Sequence, residues 1–169
     1  NPEVREFLFS VAEYWLSRGI DGWRLDVPNE INDDSFWQEF RLRVKNINKD
    51  AYIVGEIWDN PSRWLQGDQF DGVMNYRLRK LLLETFLSQT NEFQEKFSAF
   101  SKELVNVCAG NFGVSLNLLS SHDTRRLMSQ PNSSIKKMKM LWTLLFFLPG
   151  VPCIYYGVEV AMVGGKDSD

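Results

Sequence analysis

Five side chains, placed at three points along the chain, have the types and spacing that acid–base and nucleophilic chemistry require. Arg24 and Asp26 lie two residues apart in GWRLDV, Glu56 follows the apolar part of AYIVGEIW, and His122 and Asp123 follow LNLLSS. A carboxylate kept ionised by an arginine can act as a nucleophile, and a second carboxyl that holds a proton can act as an acid. These roles require that the fold bring the three points together.

Apolar periodicity predicts short strands that alternate with helices. The predicted strands cover residues 22–27, 51–58, 70–75, 114–120 and 152–156. The predicted helices cover residues 1–18, 35–46, 77–87, 92–107 and 134–148. No hairpin signal joins two adjacent strands, so this order predicts an α/β fold with a parallel sheet.

Some apolar side chains share one face of a predicted helix and are therefore expected in the core. In the first helix they are Val4, Phe7, Leu8, Val11 and Trp15. In the fourth helix they are Phe93, Phe97, Phe100 and Leu104. The same expectation holds for Trp37 and Trp142, and for both cysteines as buried thiols, Cys108 and Cys153.

Arg24 and Asp26 are polar residues in an otherwise apolar strand, and a sheet with one wet face is the simplest explanation. That explanation fails for a parallel sheet, because helices cover both of its faces. In a barrel, residues of one parity point to the axis, and the carboxyl ends of the strands line the active site. Arg24 and Asp26 share a parity at one strand end, and Glu56 and His122–Asp123 follow two other strands. We therefore predict one site at this rim.

Paired carboxyl groups at neighbouring strand ends suit the chemistry of a retaining glycosidase. Such an enzyme needs an ionised nucleophile and a protonated acid about 5–5.5 Å apart. Neighbouring strands lie about 4.8 Å apart, so Asp26 and Glu56 could meet this distance. Arg24 would keep Asp26 ionised, while His122 and Asp123 could bind sugar hydroxyls and distort the ring.

Each of these residues also has a structural explanation. Arg24 and Asp26 could form an ion pair without a function, Glu56 could be a solvated strand end, and His122–Asp123 could belong to a turn that caps the next segment. Trp58 could stack on a sugar ring or pack in the core. Their joint occurrence at successive strand ends favours a site.

The composition excludes several classes of function. A net charge of −3 provides no basic field for nucleic acid. One histidine and two cysteines, without CxxC or CxxH spacing, do not predict a metal site. The apolar run 141–156 is broken by Pro149, Gly150 and Pro152, so it predicts a helix and a strand and not a membrane span. Residues 1–18 predict an amphipathic helix and no signal peptide.

Three motifs resemble signature regions of the α-amylase family of glycoside hydrolases, in that family's order. They are DGWRLD at 21–26, GEIW at 55–58 and SHDT at 121–124. Two flanking segments also match, FDGVMNY at 70–76 and PGVPCIYYGVE at 149–159. The chain is most similar to the neopullulanase, cyclomaltodextrinase and maltogenic amylase group, through DVPNE at 26–30, LLSSHDT at 118–124 and GGKDSD at 164–169.

The resemblance implies a role for each residue of the predicted site. Asp26 would be the nucleophile, Glu56 the acid/base and Asp123 the transition-state stabiliser. Arg24 would orient Asp26, and His122 would bind the sugar at the subsite where cleavage occurs. The implied reaction is cleavage of α-1,4 glucosidic bonds with retention, through a covalent glucosyl-enzyme, in cyclomaltodextrins, malto-oligosaccharides, pullulan or starch. Cleavage of α-1,6 bonds is left open.

The resemblance also implies that residues 1–169 are the C-terminal part of the catalytic domain. The expected fold is a partial (β/α)8 TIM barrel, about strands 4 to 8. Strands 1–3, an inserted domain and the N- and C-terminal β-domains would lie outside the chain, as would one further signature region. No cofactor is implied, calcium in the intact parent is left open, and the parent is expected to be a cytoplasmic homodimer. Alone, the chain is expected to self-associate or be marginally stable, and to be inactive.

Three other functions compete with hydrolysis. A glucanotransferase or glucoside isomerase would use the same covalent step, and the loop with Asn29 and Glu30 could bind the substrate or bias the acceptor. A non-catalytic relative would bind a partner on the same barrel, but such proteins typically lose one of the acids that are present here. A starch-binding module is the third possibility, for which buried acids are unexpected.

Overall fold

The computed structural model describes residues 1–88, 90–108 and 113–165, and the chain divides into two compact units, Asn1–Met74 and Asn75–Asp169. In the described part, the helices are α1 Pro2–Ser17, α2 Asp34–Ile47, α3 Tyr76–Phe86, α4 Phe93–Cys108 and α5 Ile135–Phe147. The strands are β1 Gly22–Leu25, β2 Tyr52–Gly55, β3 Gly72–Val73, β4 Leu116–Leu118 and β5 Val151–Cys153. The predicted order of helices and strands is confirmed, although every strand is shorter than predicted.

The sheet of the first unit is parallel, with the order β1-β2-β3. Arg24 pairs with Val54, and Leu25 pairs with Gly55. Two glycines allow this close pairing. A Cβ on Gly22 would lie 2.1 Å from the Tyr52 carbonyl oxygen, and a Cβ on Gly55 would lie 2.7 Å from the Phe70 ring. Glycine, which has only a hydrogen atom in place of Cβ, is therefore needed at both positions. At Gly22 it lets β1 approach β2, and at Gly55 it lets the Phe70 ring cover the strand.

Helix α1 packs against α2 through an aromatic pair and an arginine. The rings of Phe9 and Phe36 stack with centroids 4.9 Å apart. Arg43 of α2 forms ion pairs with Glu6 at 2.8 Å and Glu13 at 3.4 Å, and its guanidinium lies 4.6 Å from the Phe9 ring centroid. These contacts turn the Phe9 side of α1 toward α2.

The prediction of which face of α1 is buried in the core is wrong. The buried residues of this helix are Phe9, Ala12 and Leu16. Most of the predicted stripe is in solvent, including Val4, Phe7, Leu8 and Trp15. The helix carries two apolar faces, and the ion pairs of Arg43 select the one that periodicity did not indicate. Trp37 of α2 is buried, as predicted.

The second unit has its own parallel strand pair and its own core. Leu118 of β4 pairs with Cys153 of β5. The buried apolar residues of this core are Leu78, Leu82, Leu87, Phe100, Leu119, Leu127, Met138, Leu141 and Leu145. Of the predicted stripe on α4, Phe100 is buried and Leu104 packs against the core, but Phe93 and Phe97 are exposed. Trp142 is partly buried.

The long apolar run divides as predicted. Helix α5 ends at Phe147, and Gly150 with a φ of 126° turns the chain into β5. No helix in the described part of the chain has the length and hydrophobicity to cross a membrane. Cys153 is half-buried, and burial raises the pKa of its thiol; the side chain of Cys108 lies outside the described residues.

Asp71 joins the end of the sheet to α2 in the first unit. Its carboxylate accepts hydrogen bonds from Lys45 at 2.8 Å, the Ile53 N–H at 2.9 Å and Arg41 at 2.8 Å. Burial raises the pKa of this carboxyl, but the bonds from Lys45, Ile53 and Arg41 outweigh it and leave the pKa below its usual value of 3.8. The ionised form therefore stabilises the fold.

We expect Asp71→Asn to lower the free energy of unfolding by about 2 kcal/mol at neutral pH, because charge-assisted hydrogen bonds are lost. Folding lowers the pKa of Asp71, so its contribution is complete above 3.8 and is lost as the pH falls through the folded-state value. The difference between wild type and variant should therefore shrink as the pH falls below about 4. Urea unfolding checks both points.

Asp68→Asn is the matched control, because Asp68 is exposed and its carboxylate accepts one hydrogen bond, from the half-buried Gln38. Its effect should stay within about 0.5 kcal/mol. An equal loss of stability in both variants would contradict a special role for Asp71.

Candidate active site

Asp26 and Glu56 are the first residues beyond β1 and β2 in the first unit. The Glu56 N–H donates to the Leu25 carbonyl at 2.9 Å, which extends the parallel ladder by one step. The two acids therefore follow neighbouring strands at the same edge, as the sequence predicts.

One guanidinium joins both acids. Arg24 Nη1 forms a hydrogen-bonded ion pair with Asp26 Oδ1, and Arg24 Nη2 lies 3.0 Å from Glu56 Oε2. Arg24 Nε also donates to the Met74 sulfur at 3.5 Å. The contact with Asp26 was predicted. The contacts with Glu56 and Met74 were not, because no local sequence signal joins residues that are 32 and 50 positions apart along the chain.

The two acids differ in their surroundings. Glu56 is 3% exposed, whereas the side chain of Asp26 is 75% exposed. Glu56 Oε2 accepts the Val27 N–H at 3.1 Å, and Glu56 Oε1 accepts the Trp58 indole N–H at 3.2 Å. Glu56 is thus buried and held on both oxygens, which contradicts the solvated strand end. Asp26 stays open to a ligand.

Val27 has a backbone conformation that the sequence does not predict. Its φ of 31° and ψ of 54° lie in the left-handed region, which a β-branched residue rarely adopts. Such a conformation costs about 1–3 kcal/mol and occurs mainly at functional sites. Here it leads into the 3₁₀ turn Pro28–Glu30, and the Val27 N–H reaches the Glu56 carboxylate.

The other predicted substrate residues of the first unit are exposed. Trp58 is 43% exposed, so it is not a core residue, and its indole positions Glu56. Asn29 and Glu30 lie in the 3₁₀ turn, where the Asn29 amide donates to Glu30 at 3.3 Å. Within the described residues, no hydrogen bond joins Asn29 or Glu30 to the two acids.

His122 and Asp123 lie in the second unit, in a hydrogen-bonded turn after β4. His122 Nε2 is 2.9 Å from Asp123 Oδ2, and both side chains are partly exposed. Ser121 organises the turn: its Oγ accepts the Asp123 N–H at 3.3 Å and the Tyr76 hydroxyl at 3.1 Å. His122 and Asp123 therefore do belong to a turn, as the structural explanation of these residues predicts. The turn nevertheless leaves the Asp123 carboxylate accessible to solvent.

The arrangement in the first unit separates two chemical tasks. The exposed Asp26 carboxylate can approach a bound substrate, and Arg24 holds it at a fixed point. Glu56 cannot move freely, because Arg24, Val27 and Trp58 contact it from three directions. A carboxylate that attacks and a carboxyl that transfers a proton must each be held in a defined position.

Comparisons with known proteins identify relatives of this arrangement. The family described as alpha amylase, catalytic domain, matches residues 1–169. A cyclomaltodextrinase from Bacillus sp is 48% identical over 169 residues, covering 99% of this chain and 30% of that protein. Neopullulanase 2 from Thermoactinomyces vulgaris is 46% identical over 171 residues, covering 100% and 29%. The chain spans about 30% of the length of these curated relatives.

A solved structure gives the same result. The debranching enzyme of Nostoc punctiforme, in its native form, matches with a TM-score of 0.89 and 44% identity, covering 100% of this chain and 38% of that chain. The catalytic domain of the matched family is a (β/α)8 barrel, in agreement with the alternating helices and parallel strands described above. The family that the DGWRLD, GEIW and SHDT motifs indicate is confirmed: residues 1–169 all match its catalytic-domain model, and the chain belongs to the α-amylase family.

Proposed function

We propose that this chain is the C-terminal part of the catalytic barrel of a retaining glycoside hydrolase that cleaves α-1,4 bonds in cyclomaltodextrins, malto-oligosaccharides, pullulan or starch. The observation that carries the proposal is the Arg24 guanidinium, which contacts an exposed carboxylate with one nitrogen and a buried one with the next. The names of the relatives, cyclomaltodextrinase and neopullulanase, support this substrate class. The debranching enzyme supports a test of α-1,6 bonds as well.

The proposed reaction has two steps. In the first, an Asp26 oxygen attacks the anomeric carbon, the glycosidic C–O bond breaks, and Glu56 gives its proton to the departing oxygen. A covalent glucosyl ester on Asp26 and a Glu56 carboxylate result. In the second, Glu56 takes a proton from water, the water oxygen attacks the anomeric carbon, and the ester bond breaks. Both carboxyl groups return to their starting states.

Exposure supports the assignment of roles that the resemblance implies. Asp26 is accessible and can reach the anomeric carbon, whereas Glu56 is buried and oriented by Val27 and Trp58. The resemblance supplies the other roles: Asp123 stabilises the transition state and His122 binds the sugar. Asn29 and Glu30 then belong to the substrate or acceptor side, and Trp58 acts through Glu56.

The proposed extent is about strands 4 to 8, with the remaining domains outside the chain. Exposed apolar side chains in each unit support this proposed extent. In the first unit they include Val4, Phe7 and Trp15 of α1. In the second unit they include Phe147, Val151 and Ile154, at the end of α5 and in and beside β5. These side chains would be buried against the remainder of a complete protein.

In a complete protein that carries this chain, we expect Asp26→Asn, Glu56→Gln and Asp123→Asn each to lower kcat/KM on maltotriose and β-cyclodextrin by about 10³-fold or more. A slow substrate, 5-fluoro-α-glucosyl fluoride, should accumulate as an ester. Mass spectrometry of the digested protein should find it on the peptide that contains Asp26.

Asp50→Asn is the matched control, because this acid is exposed in the turn before β2. Its activity should equal that of the wild type. A label on another acid, or full activity in Asp26→Asn, would refute the assignment. A wild-type protein that binds the sugars without cleaving them would favour the non-catalytic alternative.

We expect Arg24→Lys to lower kcat by at least about tenfold, because one ammonium cannot match the planar fork that contacts both acids. Arg18→Lys is the control, since Arg18 lies at the end of α1 and its guanidinium stacks on Tyr14. The measurement is kcat at saturating maltotriose, at a temperature where both variants are folded. Unchanged kcat in Arg24→Lys would show that a bridging fork is unnecessary.

The chain alone should not hydrolyse maltotriose, and it should self-associate through its exposed apolar faces. Light scattering should give a mass that rises with concentration at micromolar levels. Phe7→Glu should reduce this rise, because Phe7 is among the most exposed apolar side chains of α1. A monodisperse monomer with a cooperative melting transition would contradict the proposed extent.

Products from maltotriose separate the alternative enzymes. Hydrolysis gives maltose and glucose, a glucanotransferase gives longer oligosaccharides, and an isomerase gives a product of unchanged mass. All three retain the covalent step on Asp26, so the labelling experiment does not distinguish them, whereas the product pattern does.

A further inference from the structure

Arg126 is a buried cation in the second unit, three residues after Asp123. It is 8% exposed, and its Nη1 donates to the Tyr156 carbonyl at 2.6 Å. Its guanidinium lies 4.8 Å from the Tyr155 ring centroid and 4.5 Å from that of Tyr156. Within the described residues, no carboxylate forms an ion pair with Arg126. A carbonyl oxygen and two aromatic rings thus hold the charge.

The backbone of Arg126 is held by the same part of the chain. We name residues 155–164, which follow β5, the β5 loop. The Arg126 N–H donates to the Gly164 carbonyl at 3.1 Å, and the Gly164 N–H donates to Ser129 Oγ at 2.8 Å. The β5 loop therefore contacts Arg126 near both of its ends, through Tyr156 and through Gly164.

The β5 loop is itself a closed turn. Met162 N–H donates to the Gly157 carbonyl at 2.9 Å, and Val160 N–H donates to the same carbonyl at 3.3 Å. Gly157 has a φ of 79° and Ala161 a φ of 57°, so both residues lie in the left-handed region of backbone conformation. Such a loop can transmit a constraint from Arg126, because its own shape is fixed by internal hydrogen bonds.

The two segments that Arg126 joins follow neighbouring parallel strands. The turn with His122 and Asp123 follows β4, the β5 loop follows β5, and Leu118 pairs with Cys153. Both segments therefore leave the same edge of this strand pair. Among the described residues, Arg126 is a cation that is buried without a carboxylate, which is costly, and an apolar side chain of similar size would avoid this cost. The presence of an arginine therefore indicates that this position needs the hydrogen bond and ring contacts that an apolar side chain cannot make.

We propose that Arg126 is a positioning residue, which fixes the turn with His122 and Asp123 to the β5 loop so that both move as one unit. This inference rests on the proposed function, because its catalytic consequence acts through Asp123. Loss of the guanidinium frees the Tyr156 end of the β5 loop, while the backbone bond to Gly164 remains. The turn can then shift, which weakens transition-state stabilisation more than ground-state binding.

Hydrogen–deuterium exchange tests the coupling without any need for activity. In a complete protein that carries this chain, Arg126→Leu should raise exchange at the amides of Val160 and Met162 by about tenfold or more, since a charge-assisted hydrogen bond is lost. Amides of α2 should not change. Arg125→Leu is the matched control, because the neighbouring Arg125 side chain is exposed. Equal exchange in both variants would overturn the proposal.

Kinetics in a complete protein test the catalytic consequence. Arg126→Leu should lower kcat by at least tenfold with a smaller change in KM, and Arg125→Leu should match the wild type. Arg126→Lys keeps a donor for the Tyr156 carbonyl and should recover part of kcat, and it also provides a test if the leucine variant does not fold.

Faster exchange with unchanged kcat would reduce Arg126 to a stabilising residue and overturn the positioning role. Faster exchange in a protein without hydrolytic activity would instead refute the proposed function alone.

Discussion

The parallel register between β1 and β2 is the constraint on which the proposed chemistry depends. Leu25 pairs with Gly55, so the residues that follow, Asp26 and Glu56, leave the sheet side by side. A shift by one residue would turn every side chain of β1 to the opposite face. The Phe70 ring, which leaves no room for a Cβ on Gly55, helps to hold this register. The register, and the packing of Phe70 on Gly55 that supports it, thus place the two acids side by side.

Arg24 contacts both of these neighbouring acids, which differ in their exposure to solvent. The same guanidinium contacts an acid in solvent and an acid that is buried, so one cation serves two different environments. Glu56 is held further by a backbone N–H and an indole N–H. These neutral donors fix its orientation without adding a second full charge. This difference in surroundings supports the proposed division into an attacking group and a proton-transferring group, since both residues carry the same functional group.

The sequence predicts the alternation of helices and parallel strands because period and turn signals are local properties. It also predicts that Asp26 and Glu56 share an edge, because parity and strand order suffice for this. It does not predict which apolar face of α1 is buried, since Arg43 decides between two candidate faces through Glu6 and Glu13, which lie 37 and 30 positions away along the chain. The contact of Arg24 with Glu56 and the backbone conformation of Val27 are not predicted either, because both depend on contacts that form only in the folded chain.

The left-handed conformation of Val27 has a consequence for how this sequence can change. Glycine at this position would relieve backbone strain, and a search for greater thermal resistance would favour it. The same substitution would loosen the N–H that orients Glu56, because glycine has many more conformations available. Under the proposed function, thermal resistance and catalytic efficiency are therefore opposed at a single position, and a laboratory selection for one property alone would move the protein away from the other.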